Sequence, residues 1–110
     1  MEQTGAMSYE LRTYTATPGR IDSLLARFRD HTVALFQKHG MHSVGYWTSV
    51  EEPEKLVYIL HHEGDPKQNW ADFQADPAWK AAKEASVVNG EIVAHVDSAF
   101  LAPTDFSTLR

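Results

Sequence analysis

Hydrophobic side chains recur along this chain with two periods that alternate. Over residues 8–15 the period is two: Tyr9, Leu11 and Thr13 share one face, and Glu10, Arg12 and Tyr14 share the other. That alternation predicts a first strand. Thr17-Pro18-Gly19 then stops the strand and predicts a helix start, with Thr17 as cap, Pro18 at the first helical position and Asp22 in the first turn. Ile21, Leu24, Leu25, Phe28, Thr32, Leu35, Phe36 and His39 follow at steps of three, four and one, which is one helical stripe. Arg20, Asp22, Arg27, Arg29, Asp30 and Lys38 lie mostly off it, and Gly40 supplies a stop, so the helix is predicted over 18–39.

The period returns to two over residues 42–50 and 55–62, joined by the polar turn Glu51-Glu52-Pro53-Glu54. In the second of these strands Leu56, Tyr58 and Leu60 point one way, Val57 and Ile59 the other. A strand apolar on both faces has to be covered on both. Asp65-Pro66 and Asp76-Pro77 are two cap-plus-proline starts close together, which predicts a second helical region broken in two. Trp70 and Phe73 belong to its first piece; Trp79, Ala82, Ala85 and Ser86 belong to its second. Asn89-Gly90 ends it, residues 91–102 alternate as a last strand, and Pro103 closes that strand.

The resulting order, β-α-β-β-α-β, is the ferredoxin-like plan: α+β, a four-stranded antiparallel sheet with both helical regions on one face and the first and third strands central. Residues 1–7 carry no periodicity and read as a frayed or cloning-derived end, residues 8–103 as one ferredoxin-like domain, and residues 104–110 as a tail anchored by Phe106. Helices reach only one side of such a sheet. An apolar patch on the other side is covered most simply by a second copy about a two-fold axis, burying roughly 2,000 Å² or more. Two sheets so joined form a dimeric α/β barrel and enclose space, a natural pocket for a small molecule.

Composition narrows the partners. A net charge of −5 with scattered Lys and Arg argues against a nucleic-acid surface. No apolar run approaches the roughly 18 residues of a membrane span, and no signal peptide precedes the domain. Cysteine is absent, which removes a disulfide framework, a thiolate nucleophile and Cys-ligated metal. A cytoplasmic protein fits this composition.

Candidate chemistry is sparse. If Tyr9 and Leu11 face the helices, Glu10, Arg12 and Tyr14 face the enclosed side, where Arg12 would bind an anionic or carbonyl group, Glu10 would orient it or act as base, and Tyr14 would donate a hydrogen bond. The plainer alternative is that Glu10 and Arg12 pair with charges across the sheet and fix register. Six histidines invite a metal, but none forms an i, i+4 pair on a helix, and His61 and His62 point to opposite faces of their strand. His62 or His95 suits acid/base work better, since imidazole titrates near neutrality. His62 is also the one histidine that would suit a haem. Trp47, Tyr58 and Leu60, with Tyr14, are candidate ligand contacts; aromatics there also serve as core or interface packing. No phosphate loop, nucleophile elbow or dinucleotide fingerprint occurs, and no cofactor is implied.

The stretches Tyr9-Glu10-Leu11-Arg12-Thr13-Tyr14, Pro18-Gly19-Arg20, Lys38-His39-Gly40, Val44-Gly45-Tyr46-Trp47-Thr48, Ala75-Asp76-Pro77-Ala78-Trp79 and Ala102-Pro103-Thr104-Asp105-Phe106-Ser107 together resemble the NIPSNAP family within the dimeric α+β barrel superfamily. The resemblance implies a homodimer and no settled reaction. Relatives often carry Trp and Tyr where Leu60 and His62 stand here, so the ligand need not be shared. The wider superfamily includes cofactor-free monooxygenases, haem-degrading enzymes and lyases, by fold analogy alone. The sequence therefore supports two readings. One is a ligand-processing protein, a cofactor-free oxygenase, isomerase or lyase, with Arg12, His62 and Glu10 as catalytic candidates and a small flat molecule held between sheet and dimer partner. The other is a non-catalytic homodimeric ligand-binding or interaction module.

Overall fold

The structure, a computed structural model, describes residues 8–109, so the predicted frayed end at 1–7 lies outside the described residues. Its elements are β1 (Ser8–Ala16), α1 (Ile21–Arg27), a π-helical turn (Phe28–Thr32) running straight into α2 (Val33–Lys38), β2 (Met41–Thr48), β3 (Lys55–His62), α3 (Pro66–Ala75), α4 (Pro77–Ser86) and β4 (Val93–Leu101). The strands form one antiparallel sheet in the order β2-β3-β1-β4. The predicted α+β architecture, with β1 and β3 in the middle, is the one observed.

The long helix carries its own explanation for the π turn. Leu24, Phe28, Thr32 and Phe36 are all buried, one at every fourth position. Three regular turns take about 11 residues, one fewer than this stripe spans. A π turn holds the extra residue and keeps the four side chains aligned. Thr32 Oγ1 donates to the Arg27 carbonyl five residues back, at 3.3 Å, across that wide turn. Arg27 is buried beside Leu24, although its charge places it off the stripe in the sequence.

Several boundaries differ from expectation; the last strand, for one, runs from Val93 to Leu101 where residues 91–102 were expected. The helix begins at Ile21, not Pro18, and no side chain caps it. Gly19 has φ +80°, outside the helical region, so Thr17 to Arg20 make a turn instead, closed by Arg20 N–H on the Thr17 carbonyl at 2.9 Å. The hairpin strand β2 ends at Thr48, leaving Val50 exposed in the connection to β3. The break in the second helical region stands as predicted: Asp65 accepts from Lys67 N–H and Asp76 from Ala78 N–H, each with proline in the first turn.

The core lies between sheet and helices. Leu56, Tyr58, Leu60 and His62 of β3 face it, meeting Leu24, Phe28, Phe36, Met41, Phe73 and Ile92. Register then settles the face of β1. Glu10 stands opposite Leu60, Arg12 opposite Tyr58 and Tyr14 opposite Leu56, and directly opposed residues share a face. Glu10, Arg12 and Tyr14 are therefore under the helices, and Tyr9 and Leu11 point away, the reverse of the arrangement that places the three polar residues toward a dimer partner. The open face carries Tyr9 stacked on His61 at 4.3 Å, with Leu11, Val57, Ile59 and Trp47. The Trp47 ring folds over Gly45, where a Cβ would come within 2.6 Å of it, so the bare backbone is what admits the ring. Among the described residues no helix is long and apolar enough to cross a membrane.

Candidate functional site

Beneath α3, a buried carboxylate organises the centre of the sheet. Glu10 is 1% exposed. Its Oε1 accepts from His62 Nε2 at 2.7 Å and from Trp70 Nε1 at 2.8 Å; its Oε2 accepts from Arg12 Nη1 at 2.9 Å and from Ser98 Oγ at 2.5 Å. Burial alone would push the Glu10 carboxyl up, but the donors His62, Ser98, Trp70 and Arg12 outweigh it and hold the group at about 2. Asn69 Nδ2 donates to His62 Nδ1 at 3.3 Å, which assigns the imidazole proton to Nε2, aimed at Glu10.

Arg12 is fixed on every side. Its Nε donates to Tyr58 Oη at 2.8 Å, its Nη2 to Tyr14 Oη at 3.2 Å, and its guanidinium lies 4.2 Å from the Trp70 ring centre. Burial works against its charge, yet Tyr58, Tyr14 and Glu10 more than restore it, so its pKa rises above the usual value. The Tyr58 phenol, sealed in the core, is pushed well above 10.0 chiefly by burial and stays protonated.

Beside this network opens a cleft of about 590 Å³, between β1 and β4 below and α3, α4 and the end of α1 above. Tyr14, Trp70, Phe73 and Trp79 give it aromatic walls, and Arg12, Arg27, Lys80 and Lys83 line it with positive charge against the single carboxylate of Glu91. Arg27 lies over the Trp79 ring at 5.2 Å and donates from Nη1 to Ser86 Oγ at 3.0 Å. Burial lowers its pKa, against the weaker opposing influence of Tyr14, Glu91 and Tyr58.

Of the residues singled out in the sequence, the fold brings Glu10, Arg12, Tyr14, Tyr58 and His62 into one hydrogen-bonded set. Tyr14 and Arg12 line the cleft; Tyr58, Leu60 and His62 are completely enclosed behind it. Trp47 stands apart on the opposite face, 52% exposed. His39 pairs with Asp76 at 2.8 Å, and His42 with Gln37 and Glu63, while His95 is exposed beside Asp97. Among the described residues no three His, Cys, Asp or Glu side chains come together as a metal site. Ser98, Asn69, Arg27, Lys80 and Lys83 escape the sequence reading. Lys80 and Lys83 were legible as a helical i, i+3 pair one residue beyond Trp79; Arg27 carried no local signal, since what encloses it comes from α4.

This architecture, a four-stranded antiparallel sheet with its helices on one side, places the chain among ferredoxin-like α+β domains. A protein from Bordetella bronchiseptica, named as a candidate antibiotic biosynthesis monooxygenase, shares the fold at TM-score 0.70 and 18% identity, covering 90% of this chain and 98% of that one. More similar are two NIPSNAP family proteins of Agrobacterium tumefaciens. One, of unknown function, matches at TM-score 0.81 and 24% identity over 98% of this chain and 97% of its own. The other matches at TM-score 0.82 and 21% identity over 94% and 99%. The NIPSNAP family model matches residues 9–108, and the chain belongs to that family. No curated protein matches it.

Proposed function

We propose that this protein binds a small, flat organic molecule in the cleft between sheet and helices. The observation that carries the reading is the cleft itself: about 590 Å³, walled by Tyr14, Trp70, Phe73 and Trp79, with Arg12 rigidly held at its floor. Pockets of this size with aromatic walls and a few fixed polar groups suit molecules of one or two rings. Arg12 and Tyr14 contact the ligand's polar edge. Glu10 and His62 lie behind them and act as positioning residues. Glu10 in particular is no general base near neutrality, because four donors occupy it and its proton is lost far below pH 7.

Turnover by a cofactor-free oxidation is the enzyme form of this reading, supported by the fold shared with the candidate monooxygenase. A homodimer, formed by a second copy on the open face, is supported by Leu11, Val57 and Ile59 on the two central strands there. A thermal-shift screen of aromatic and quinone-like compounds tests the site, with oxygen consumption followed for each hit. The expected result is a stabilising compound whose effect falls in Arg12→Ala and His62→Ala. A hit that both substitutions leave unchanged refutes the cleft as the site. Sedimentation at micromolar concentration tests the pair, and a single-chain mass refutes it.

A further inference from the structure

Arg27 is a buried cation with no direct ion pair, and the one carboxylate that acts on it, Glu91, does so from a distance and less strongly than burial. It is 7% exposed, its Nε has no hydrogen-bond partner, and it makes no ion pair with any described residue. Its named contacts are neutral: the Ser86 hydroxyl and the Trp79 ring. The other guanidinium of the cleft, the half-buried Arg12, is by contrast neutralised by Glu10. A charge taken out of water is ordinarily paired. The cleft that Arg27 lines adds Lys80 and Lys83 and offers one carboxylate, Glu91, in a chain whose net charge is −5. Positive charge gathered in a half-enclosed, aromatic-walled hollow concentrates anions there.

Resting on the cleft reading above, we propose that the ligand is an aromatic acid. Its ring lies against Trp70 and Trp79, and its carboxylate or comparable oxyanion becomes the counter-ion of Arg27, with Lys83 and Lys80 alongside. Arg12 is then not the anion-binding group, since Glu10 already holds its charge. Arg12 and Tyr14 meet the neutral, oxygen-bearing edge of the molecule instead. A guanidinium fork suits a carboxylate by geometry as well as by charge.

Arg27 is the last residue of α1, buried with Leu24 three residues back, and it lines the cleft from there. The π turn begins one residue after Arg27. Wide turns of this kind recur at functional sites.

The test compares 2-naphthoate with 2-naphthamide, the same ring with and without charge, by quenching of Trp70 and Trp79 in a Trp47→Phe background. The acid should bind wild-type cleft at least about tenfold more tightly than the amide. Arg27→Gln should bring that ratio near one while leaving the amide's affinity in place, and Arg27→Lys should keep part of it. Lys83→Gln should reduce the ratio less than Arg27→Gln does. Equal binding of acid and amide to the wild type overturns the inference and leaves the cleft reading standing. A preference for the acid that survives in Arg27→Gln or is abolished only by Arg12→Ala also overturns it. Failure of both compounds to quench overturns inference and cleft reading together. If Arg27→Gln does not fold, the wild-type ratio and Arg27→Lys decide.

Discussion

Glu10→Gln separates what the buried carboxylate does for folding from what surrounds it. The folded protein holds the Glu10 carboxyl at about 2, against 4.5 without its surroundings. Because the folded state binds that proton less tightly than the unfolded chain does, ionised Glu10 stabilises the fold fully above about pH 4.5. That stabilisation is lost as pH falls toward 2. The difference corresponds to about 3 kcal/mol, of which about 2 kcal/mol is gone by pH 3. Glutamine cannot ionise, and it leaves Arg12 and His62 facing an amide; breaking such a buried pair costs about 3 kcal/mol at neutral pH. Urea unfolding of both proteins between pH 3 and pH 7 reads the effect. Wild type should be the more stable by about 3 kcal/mol at pH 7, and the gap should shrink by about 2 kcal/mol at pH 3. A gap that stays constant over this range would refute the argument that hydrogen bonds from His62, Ser98, Trp70 and Arg12 outweigh burial.

Three further expectations follow from packing and caps. Phe36→Ala empties the centre of the aromatic cluster around Phe28, Tyr58 and Phe73 and should cost about 3–5 kcal/mol, measured by urea unfolding. Gly45→Ala places a Cβ 2.6 Å from the Trp47 ring, which is half exposed and free to swing, so stability should fall by less than about 1 kcal/mol while Trp47 emission shifts red. Asp76→Ala removes the α4 cap and the partner of Lys38 and His39, whose hydrogen bonds hold the Asp76 carboxyl below its ordinary value. Its melting temperature should drop, and by less at pH 2 than at pH 7, because the wild-type contribution is itself lost on acidification.

Element order, the central place of β1 and β3, and the broken second helical region were all readable in the chain, because each rests on local signals: alternation, Asp-Pro pairs and glycine stops. The orientation of β1 was not. An alternating strand says which residues share a face, and nothing in it says which face is wet. Glu10 and Arg12 look like the outer side because charge usually is; they are inside because His62, Trp70, Ser98 and Tyr58, drawn from three other elements, satisfy them. Arg27 was hidden for a related reason. It stands at the edge of the apolar stripe at the end of α1, and the groups that enclose it, Trp79 and Ser86, come from α4, far along the chain. Trp47 misled in the opposite sense, since a large aromatic beside the site in sequence lies across the sheet from it.

The surplus residue in the long helix has a consequence for how this chain tolerates length changes. Removing one residue from 29–31 would let the helix wind evenly from Ile21 to Lys38, with the apolar seam still unbroken, so the shortened protein should assemble as readily as the parent. Adding a residue at the same place has no such escape, because a second widening would rotate Phe36 away from Phe73 and Tyr58. Lengthening and shortening by one are therefore opposite experiments at this spot: the first challenges the fold and the second spares it.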